Sequence, residues 1–309
     1  MIFQEYERVL LIGMGGGGDV VGTLPTYRFL ESIKKDVYLG GLTWERLIVD
    51  PKPGPRKTEE IINARRISKY AVLANSETRT ESGVMFSESL ISSKIGKEVI
   101  LIDVSGGVEG TRESLEDVVC ELGFDLVIGI DVGGDVLARG NEPGLRSPLA
   151  DSLMLAALNS LKGVDTLIGV FGYGSDGELS VRELNERFSE ICKKGGYVWS
   201  IGLDVEVAEE MEELTKEVPT EASMLPLLVV KGELGLHEMR GGRRVANLTP
   251  LSLITFYFRT EVVYQVNGIS KLISNTKSLE EANEILLRNG IYTELEYERR
   301  VSGFTVEGE

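Results

Sequence analysis

Apolar runs of strand length alternate with helix-period segments over the first two thirds of the chain, the pattern of βαβ units built on a parallel sheet. The runs are Val9 to Met14, Val37 to Leu42, Tyr70 to Ala74, Val99 to Val104, Leu126 to Val132, Thr166 to Phe171 and Tyr197 to Leu203. Several are apolar on both faces, as strands covered on both sides must be. Between them, Val20 to Lys34, Thr58 to Ser68, Ser87 to Ile95, Arg112 to Leu122, Pro148 to Leu161 and Val181 to Lys193 read as helices. Ser147 ahead of Pro148, and Ser180 with Glu183 three residues on, mark two helix starts. The pattern predicts an α/β fold with a doubly wound, mostly parallel sheet of about seven strands.

Beyond Asp204 the alternation fades. Val205 to Glu217 and Thr220 to Val230 read as helices, the second around Pro226. Thr249-Pro250 opens a long helix through Val266, Ser278 caps a last helix over Leu279 to Arg288, and Tyr292 to Val301 reads as a strand. The expectation is one domain over 1–309, with a core over 1–204 and a mainly helical extension, 205–309, packed on it. Phe256, Tyr257, Phe258 and Tyr264 are too broad a cluster for one amphipathic stripe. They are read as core, with a subunit interface, and so a homo-oligomer, left open.

Composition narrows the class. With 42% hydrophobic residues and a mean hydropathy of -0.01 the chain can bury a large core. No window nears the roughly 18 to 20 unbroken apolar residues of a membrane span. Met1 leads almost directly into the first strand, without the basic region and cleavage site of a secretory signal, so a cytoplasmic location is expected. A net charge of -16 argues against nucleic acid or an anionic membrane as partner, apart from a local basic patch at Arg240, Arg243 and Arg244. Cys120 and Cys192 lack metal-site spacing and read as buried thiols. The 27% of charged residues, and glutamine only at Gln4 and Gln265, fit a thermophile. Asp50 to Lys57 and Asn75 to Gly83 read as polar loops, either surface excursions or lids.

The firmest chemical signal is Gly13-Met14-Gly15-Gly16-Gly17-Gly18, which satisfies GxGxxG with a strand before it and a helix after it. Such a turn brings backbone close to a ligand and offers free N–H groups to an anion. NAD(P) is disfavoured nonetheless. The second strand closes on Gly40, Gly41 and Leu42 where a ribose-binding acid belongs, and the nearest acid, Glu45, lies past a tryptophan. Asp19, directly after the last glycine, stands where a phosphate would sit. It is either a helix N-cap or a pointer to a metal ion, a sugar hydroxyl or an amine.

Acids recur at the ends of later strands: Asp103, then Asp131 and Asp135 around Gly133 and Gly134, then Asp176 in Gly172 to Gly177, then Asp204. Strand ends of an open parallel sheet converge on one crevice. Asp131 and Asp135 are the candidates to bind Mg²⁺ or to act as an acid and base pair, with turn formation as their alternative role. Arg139, Asn141, Glu142 and Arg146, leading to the Ser147 cap and Asp151, form a second candidate stretch for an anionic substrate group. His237, the single histidine, lies outside the expected sheet and is assigned no chemistry. No GxSxG, HExxH or GxxxxGK[ST] is present, so the common hydrolase, metalloprotease and P-loop readings lose their supports.

Taken in order, Gly13 to Val20, Asp131 to Asp135 and Gly172 to Glu178 resemble the largely archaeal family known as domain of unknown function 1152. The resemblance covers nearly the whole length and implies a Rossmann-like α/β core, with no activity and no catalytic residues to carry over. The residues themselves lead to an enzyme acting on a small polar metabolite, such as a nucleotide, nucleoside or sugar phosphate. The alternatives are a non-catalytic metabolite sensor and an NAD(P)-dependent oxidoreductase.

Overall fold

The computed structural model describes residues 2–303. Its strands are β1 (Arg8–Gly13), β2 (Asp36–Leu42), β3 (Ile61–Ile62), β4 (Arg65–Arg66), β5 (Ala71–Ala74), β6 (Arg79–Thr80), β7 (Val99–Ile102), β8 (Leu126–Val132), β9 (Asp165–Phe171), β10 (Tyr197–Gly202), β11 (Gly235–Met239), β12 (Arg244–Leu248) and β13 (Ile254–Arg259). Its helices are α1 (Leu24–Ser32), α2 (Ser87–Ile95), α3 (Gly107–Leu122), α4 (Pro148–Ser160), α5 (Val181–Lys193), α6 (Val205–Thr215), α7 (Glu221–Val230), α8 (Thr260–Val266), α9 (Ser270–Ile273), α10 (Leu279–Arg288) and α11 (Glu294–Ser302).

Nine strands form one sheet in the order β10-β13-β9-β8-β1-β2-β7-β5-β4. The central run β9-β8-β1-β2-β7 is parallel throughout. Strands β13, β5 and β4 join through antiparallel pairings. The chain leaves β1 toward β2 and β7 on one side and returns to β8 and β9 on the other, so strand order reverses between β1 and β8. A crevice opens beyond the carboxyl ends of the strands at such a reversal.

Side chains alternate across the sheet and are buried on both faces. On β1, Leu10 and Ile12 pack with α3 and α4, whereas Val9 and Leu11 pack with α1 and α6. On β8, Leu126, Ile128 and Ile130 take the α1 face and Val127 the α4 face. That parity turns Asp131 toward α4. Gly129, two residues before it, leaves the space that Met14 and Leu158 fill, since a Cβ there would lie 2.5 Å from the Met14 sulfur.

The α/β class and the mostly parallel sheet agree with the pattern reading, and several elements differ from it. Val20 to Lys34 begins as a 3-10 turn over Gly17–Thr23 and becomes α-helical only at Leu24. Thr58 to Ser68, read as a helix, is a 3-10 turn followed by the two-residue strands β3 and β4. The long helix expected from Pro250 is a 3-10 turn, then β13, then α8, and β13 enters the sheet between β9 and β10. Tyr292 to Val301 is not a strand. Thr293 accepts the Glu296 N–H and starts α11. The β11–β12 hairpin carries no expectation from the sequence. Cys120 and Cys192 sit in helices as read, but both are exposed and free rather than buried. The Asp50 to Lys57 loop is pinned to the fold, with Asp50 paired to Arg56 and the Arg56 carbonyl accepting from Thr43. Among the described residues no helix is long and apolar enough to cross a membrane.

Candidate functional site

Four of the five glycines in the turn after β1 are closely packed against protein. A Cβ on Gly13 would lie 2.7 Å from the Val20 nitrogen, one on Gly18 2.1 Å from the Thr220 Cβ, and one on Gly15 2.5 Å from an Asp19 oxygen. Gly16, at φ 75°, has its Cβ position 2.7 Å from the Trp44 carbonyl. Two of the turn's N–H groups are already used, Gly15 by Asp19 at 3.0 Å and Gly17 by the Trp44 carbonyl at 2.9 Å. The helical stretch that follows is 3-10, with a weaker claim on an anion than an α-helix start. Asp19 does not cap that stretch. Its carboxylate turns back to Gly15 and toward the end of β8.

Next to it, β8 ends at Asp131 and Val132, and Gly133 and Gly134 follow at φ 120° and 122°. Only glycine takes such angles readily. The turn lets the Asp176 loop close in, since a Cβ on Gly133 would lie 2.2 Å from the Asp176 Cγ. Asp135 starts a 3-10 turn beyond. Pro148 starts α4 as expected, but the Ser147 hydroxyl is donated to Glu178 instead of capping the helix. Glu294 of α11 caps α4 from across the chain, accepting from Leu149 at 3.0 Å and Ala150 at 2.8 Å. The first turn of α4 thereby holds Asp151 over β8.

Six acids gather in two adjoining triads. Oxygens of Asp19, Asp131 and Asp151 lie within 4.8 Å of one another, as do those of Asp135, Asp176 and Glu178. Asp131 is 1% exposed and neither of its oxygens makes a well-formed hydrogen bond, Asp135 and the Val136 N–H offering only weak ones. Asp151 Oδ1 and Asp176 Oδ2 are likewise buried and unpartnered. Glu178 is the opposite case. It accepts from the Arg146 and Ser147 N–H groups at 2.6 and 3.0 Å and from Arg244 at 2.6 Å.

Crowded acids hold protons. Burial pushes Asp131 up to about 7, helped by the charge of Asp19 and restrained by Asp135 and the Val136 N–H. Asp19 rises to about 6 through burial, restrained by Arg46 and the Gly15 N–H. Burial raises Asp135, Asp151 and Asp176 well above the usual carboxylate range, with Asp151 adding most on Asp135, Asp131 on Asp151 and Glu178 on Asp176. Glu88, 1% exposed and without a partner for either oxygen, is also raised by burial and then by Glu45. Such a concentration of uncompensated buried acid costs stability unless protons or cations balance it.

Not every strand-end acid joins. Asp103 accepts from the Ser105 and Thr58 N–H groups at 2.8 and 3.2 Å and forms a turn at the end of β7. Asp204 is exposed and caps α6 through Val207. Adjacent strands stand about 4.8 Å apart, so the neighbours β1, β8 and β9 bring their ends together. β2 separates β7 from them and β13 separates β10. The second candidate stretch also turns away. Glu142 accepts from the N–H groups of Arg139, Gly140 and Asn141, Asn141 is exposed, and the Arg146 guanidinium is spent on Pro143 and Leu145 carbonyls. Arg139 lines a surface groove of about 650 Å³ along α5 that none of the clustered acids borders. His237 lies half-buried on β11.

Arg46, Glu294 and Glu298 carry no expectation from the sequence. Arg46 donates to the Gly15 carbonyl, lies 5.0 Å over the Trp44 ring and meets Glu298 at 3.5 Å. Glu298 also accepts from Trp44 Nε1 and the Gly54 N–H, each at 2.9 Å. A first-turn glutamate at 294 looks like any other helix start, and Arg46 stands alone in its segment, so no local pattern marks either.

A family profile matches residues 10–302 of this arrangement, from β1 to α11, and its description is a protein of unknown function. The chain belongs to the domain of unknown function 1152 family. The match spans both triads, the Trp44–Arg46 segment and the helix that supplies Glu294 and Glu298, so these features all lie within the family's extent. A search of curated proteins found no match.

Proposed function

We propose that this protein is an enzyme acting on a small polar metabolite, a nucleotide, nucleoside or sugar phosphate, with a divalent cation held among Asp19, Asp131 and Asp151. The observation that carries this reading is Asp131: a buried carboxylate at the point where strand order reverses, with no well-formed hydrogen bond to either oxygen and two further acids within reach. A set of oxygen ligands alone suits Mg²⁺ or Mn²⁺. A cation there would polarise a substrate oxygen or lower the pKa of a water. Asp135 and Asp176, whose protonated form is favoured by burial and by neighbouring acids, would donate a proton to a leaving group.

A nicotinamide dinucleotide is disfavoured by the space beyond β2. Trp44, fully buried and bonded to Glu298, fills it, and the glycine turn has spent two of its N–H groups internally. A flat NADH fluorescence titration is expected.

Calorimetric titration with Mg²⁺ and Mn²⁺ tests the assignment. The parent protein is expected to bind, Asp131→Asn to lose binding and Asp135→Asn to keep it with turnover lost. Asp131→Asn and Asp135→Asn proteins that both bind cation and ligand like the parent would overturn it. A sensor reading rests on α11, whose Glu294 and Glu298 tie the C-terminal end to α4 and Arg46. Mass spectrometry of a co-purifying ligand after incubation separates the two, because a sensor returns it unchanged.

A further inference from the structure

The β11–β12 hairpin is seated directly on the loop that carries Asp176 and Glu178. The Val245 carbonyl lies 2.9 Å from where a Cβ on Gly177 would stand, and Arg244 pairs with Glu178 at 2.6 Å. The turn between the two strands, Arg240-Gly241-Gly242-Arg243, runs at φ 54°, 65° and 80° over its first three residues. Arg243 fastens this turn, donating to Tyr297 Oη at 2.8 Å and to the Arg240 carbonyl at 2.9 Å.

Arg240 is held differently. Its own N–H is bonded to Glu221, but its guanidinium has Glu221 as its one ion-pair partner among the described residues, at 3.5 Å and 45% exposed. Its charge acts on Asp19 in one triad and Glu178 in the other, and it is opposed by Arg46 and Arg244. Arg46 reaches the same region from the β2 side, where it touches Gly15. Arg46 lies beside the first triad through Gly15, Arg244 sits on Glu178 of the second, and Arg240, at the turn of the hairpin that carries Arg244, is repelled by both. Arg46 and Arg244 are each bonded to a protein acceptor of the crevice, whereas Arg240 has only its half-exposed pairing with Glu221. Oxygens of Asp151 and Asp176 in the two triads are buried and unpartnered.

We propose that Arg240, with Arg46 and Arg244 beside it, is the seat of a phosphoryl group, so that the hairpin turn rather than the glycine turn after β1 holds the substrate phosphate. Resting on the reading of the acid crevice as the metabolite site, this assigns the ligand as a phosphate ester whose anionic end lies under the hairpin and whose reacting end faces Asp131. A phosphate oxygen at that boundary has the cation on one side and planar guanidinium donors on the other, the pairing that arginine satisfies best. It also offsets the repulsion that Arg240 meets from Arg46 and Arg244.

Inorganic phosphate binding to the full-length protein, measured by calorimetry with Mg²⁺ and again in EDTA, tests this. Arg240→Gln is expected to weaken phosphate binding about tenfold and Arg240→Lys less, because a charge-assisted contact is lost or blunted. Mg²⁺ binding without phosphate is expected to be unchanged in both. Arg288→Gln, an exposed arginine on α10 away from the hairpin, is expected to bind phosphate normally. Wild-type phosphate affinity in Arg240→Gln, or no phosphate binding by the parent at millimolar concentration, overturns the seat. Should Asp131→Asn abolish Mg²⁺ binding while Arg240→Gln leaves phosphate untouched, the crevice reading stands and the seat falls. Phosphate binding that depends on Arg240, with no Mg²⁺ binding at all, supports the seat and overturns the cation site.

Discussion

Replacing Asp131 by asparagine is expected to make the cation-free protein more stable. Asp131 is 1% exposed, neither oxygen makes a well-formed hydrogen bond, and burial holds its pKa at about 7 against an ordinary value of 3.8. An acid whose folded pKa lies above its unfolded one binds more protons when folded. Stability then falls as pH rises between the two values, and the loss is complete above the upper one. A gap of about 3 units at about 1.36 kcal/mol each places the penalty near pH 7.5 at about 4 kcal/mol. Asparagine removes the charge but leaves a buried amide short of partners, which costs about 1–3 kcal/mol. The net gain is roughly 1–3 kcal/mol, or about 2–6 °C at roughly 2 °C per kcal/mol for a chain of this size. Mg²⁺ should invert the order. At about a thousandfold excess over its dissociation constant a ligand stabilises the native state by about 4.1 kcal/mol, more than the variant's gain, and only the parent is expected to bind. Differential scanning calorimetry at pH 7.5, in EDTA and in Mg²⁺, reads both effects. A variant that melts below the parent in EDTA, or that gains as much from Mg²⁺ as the parent does, would refute the account of Asp131 as an uncompensated cation ligand.

Three further outcomes follow from the geometry. In EDTA the parent's melting temperature should fall from pH 5.5 to 8 as Asp19, at about 6, and Asp131, at about 7, lose their protons. Asp131→Asn should flatten that slope, and a rising profile would contradict it. Gly18→Ala drives a methyl to 2.1 Å from the Thr220 Cβ and should cost about 1–3 kcal/mol, partly recovered by adding Thr220→Gly. Denaturant titrations that show no recovery would mean that packing is not what requires the glycine. Trp44→Phe removes the 2.9 Å bond to Glu298 and should cost about 1–2 kcal/mol by the same assay, with an unchanged midpoint arguing against the link.

The parts of the fold legible in sequence were those with a single periodicity. β8, α2 and α5 fall on the expected residues, because unbroken apolar runs and clean caps such as Ser180 with Glu183 leave one choice. β13 was hidden because Ile254 to Val266 carries apolar residues on both sides of Arg259 and Glu261, and a run of that kind fits a strand or a buried helix equally. Its aromatic and β-branched start, Ile254 to Phe258, was the cue for a strand. α11 carried a plain signal in Thr293 followed by Glu296, but its Tyr and Val residues suggested alternation. In the candidate site, Asp19, Asp131, Asp135 and Asp176 were legible as a group because each lies at the carboxyl end of β1, β8 or β9 or in the glycine turn that follows it. Asp103 and Asp204 share that local pattern and differ only in their place in the sheet, which no local pattern encodes. Glu294 reaches α4 across 144 positions of sequence, so its part in the site is a product of tertiary packing alone.

β10 has one partner, β13, and β13 separates it from β9. Tyr197–Gly202 thus has no seat in the sheet until Ile254–Arg259 has been synthesised and inserted antiparallel. While residues 203–253 are being added, the growing chain presents Leu167, Ile168, Val170 and Phe171 along an open edge, the kind of surface that captures other strands. Closing it demands a non-local pairing late in synthesis, which is slow. A chain cut just before Ile254 gives up one strand of its sequence and two strands of its sheet.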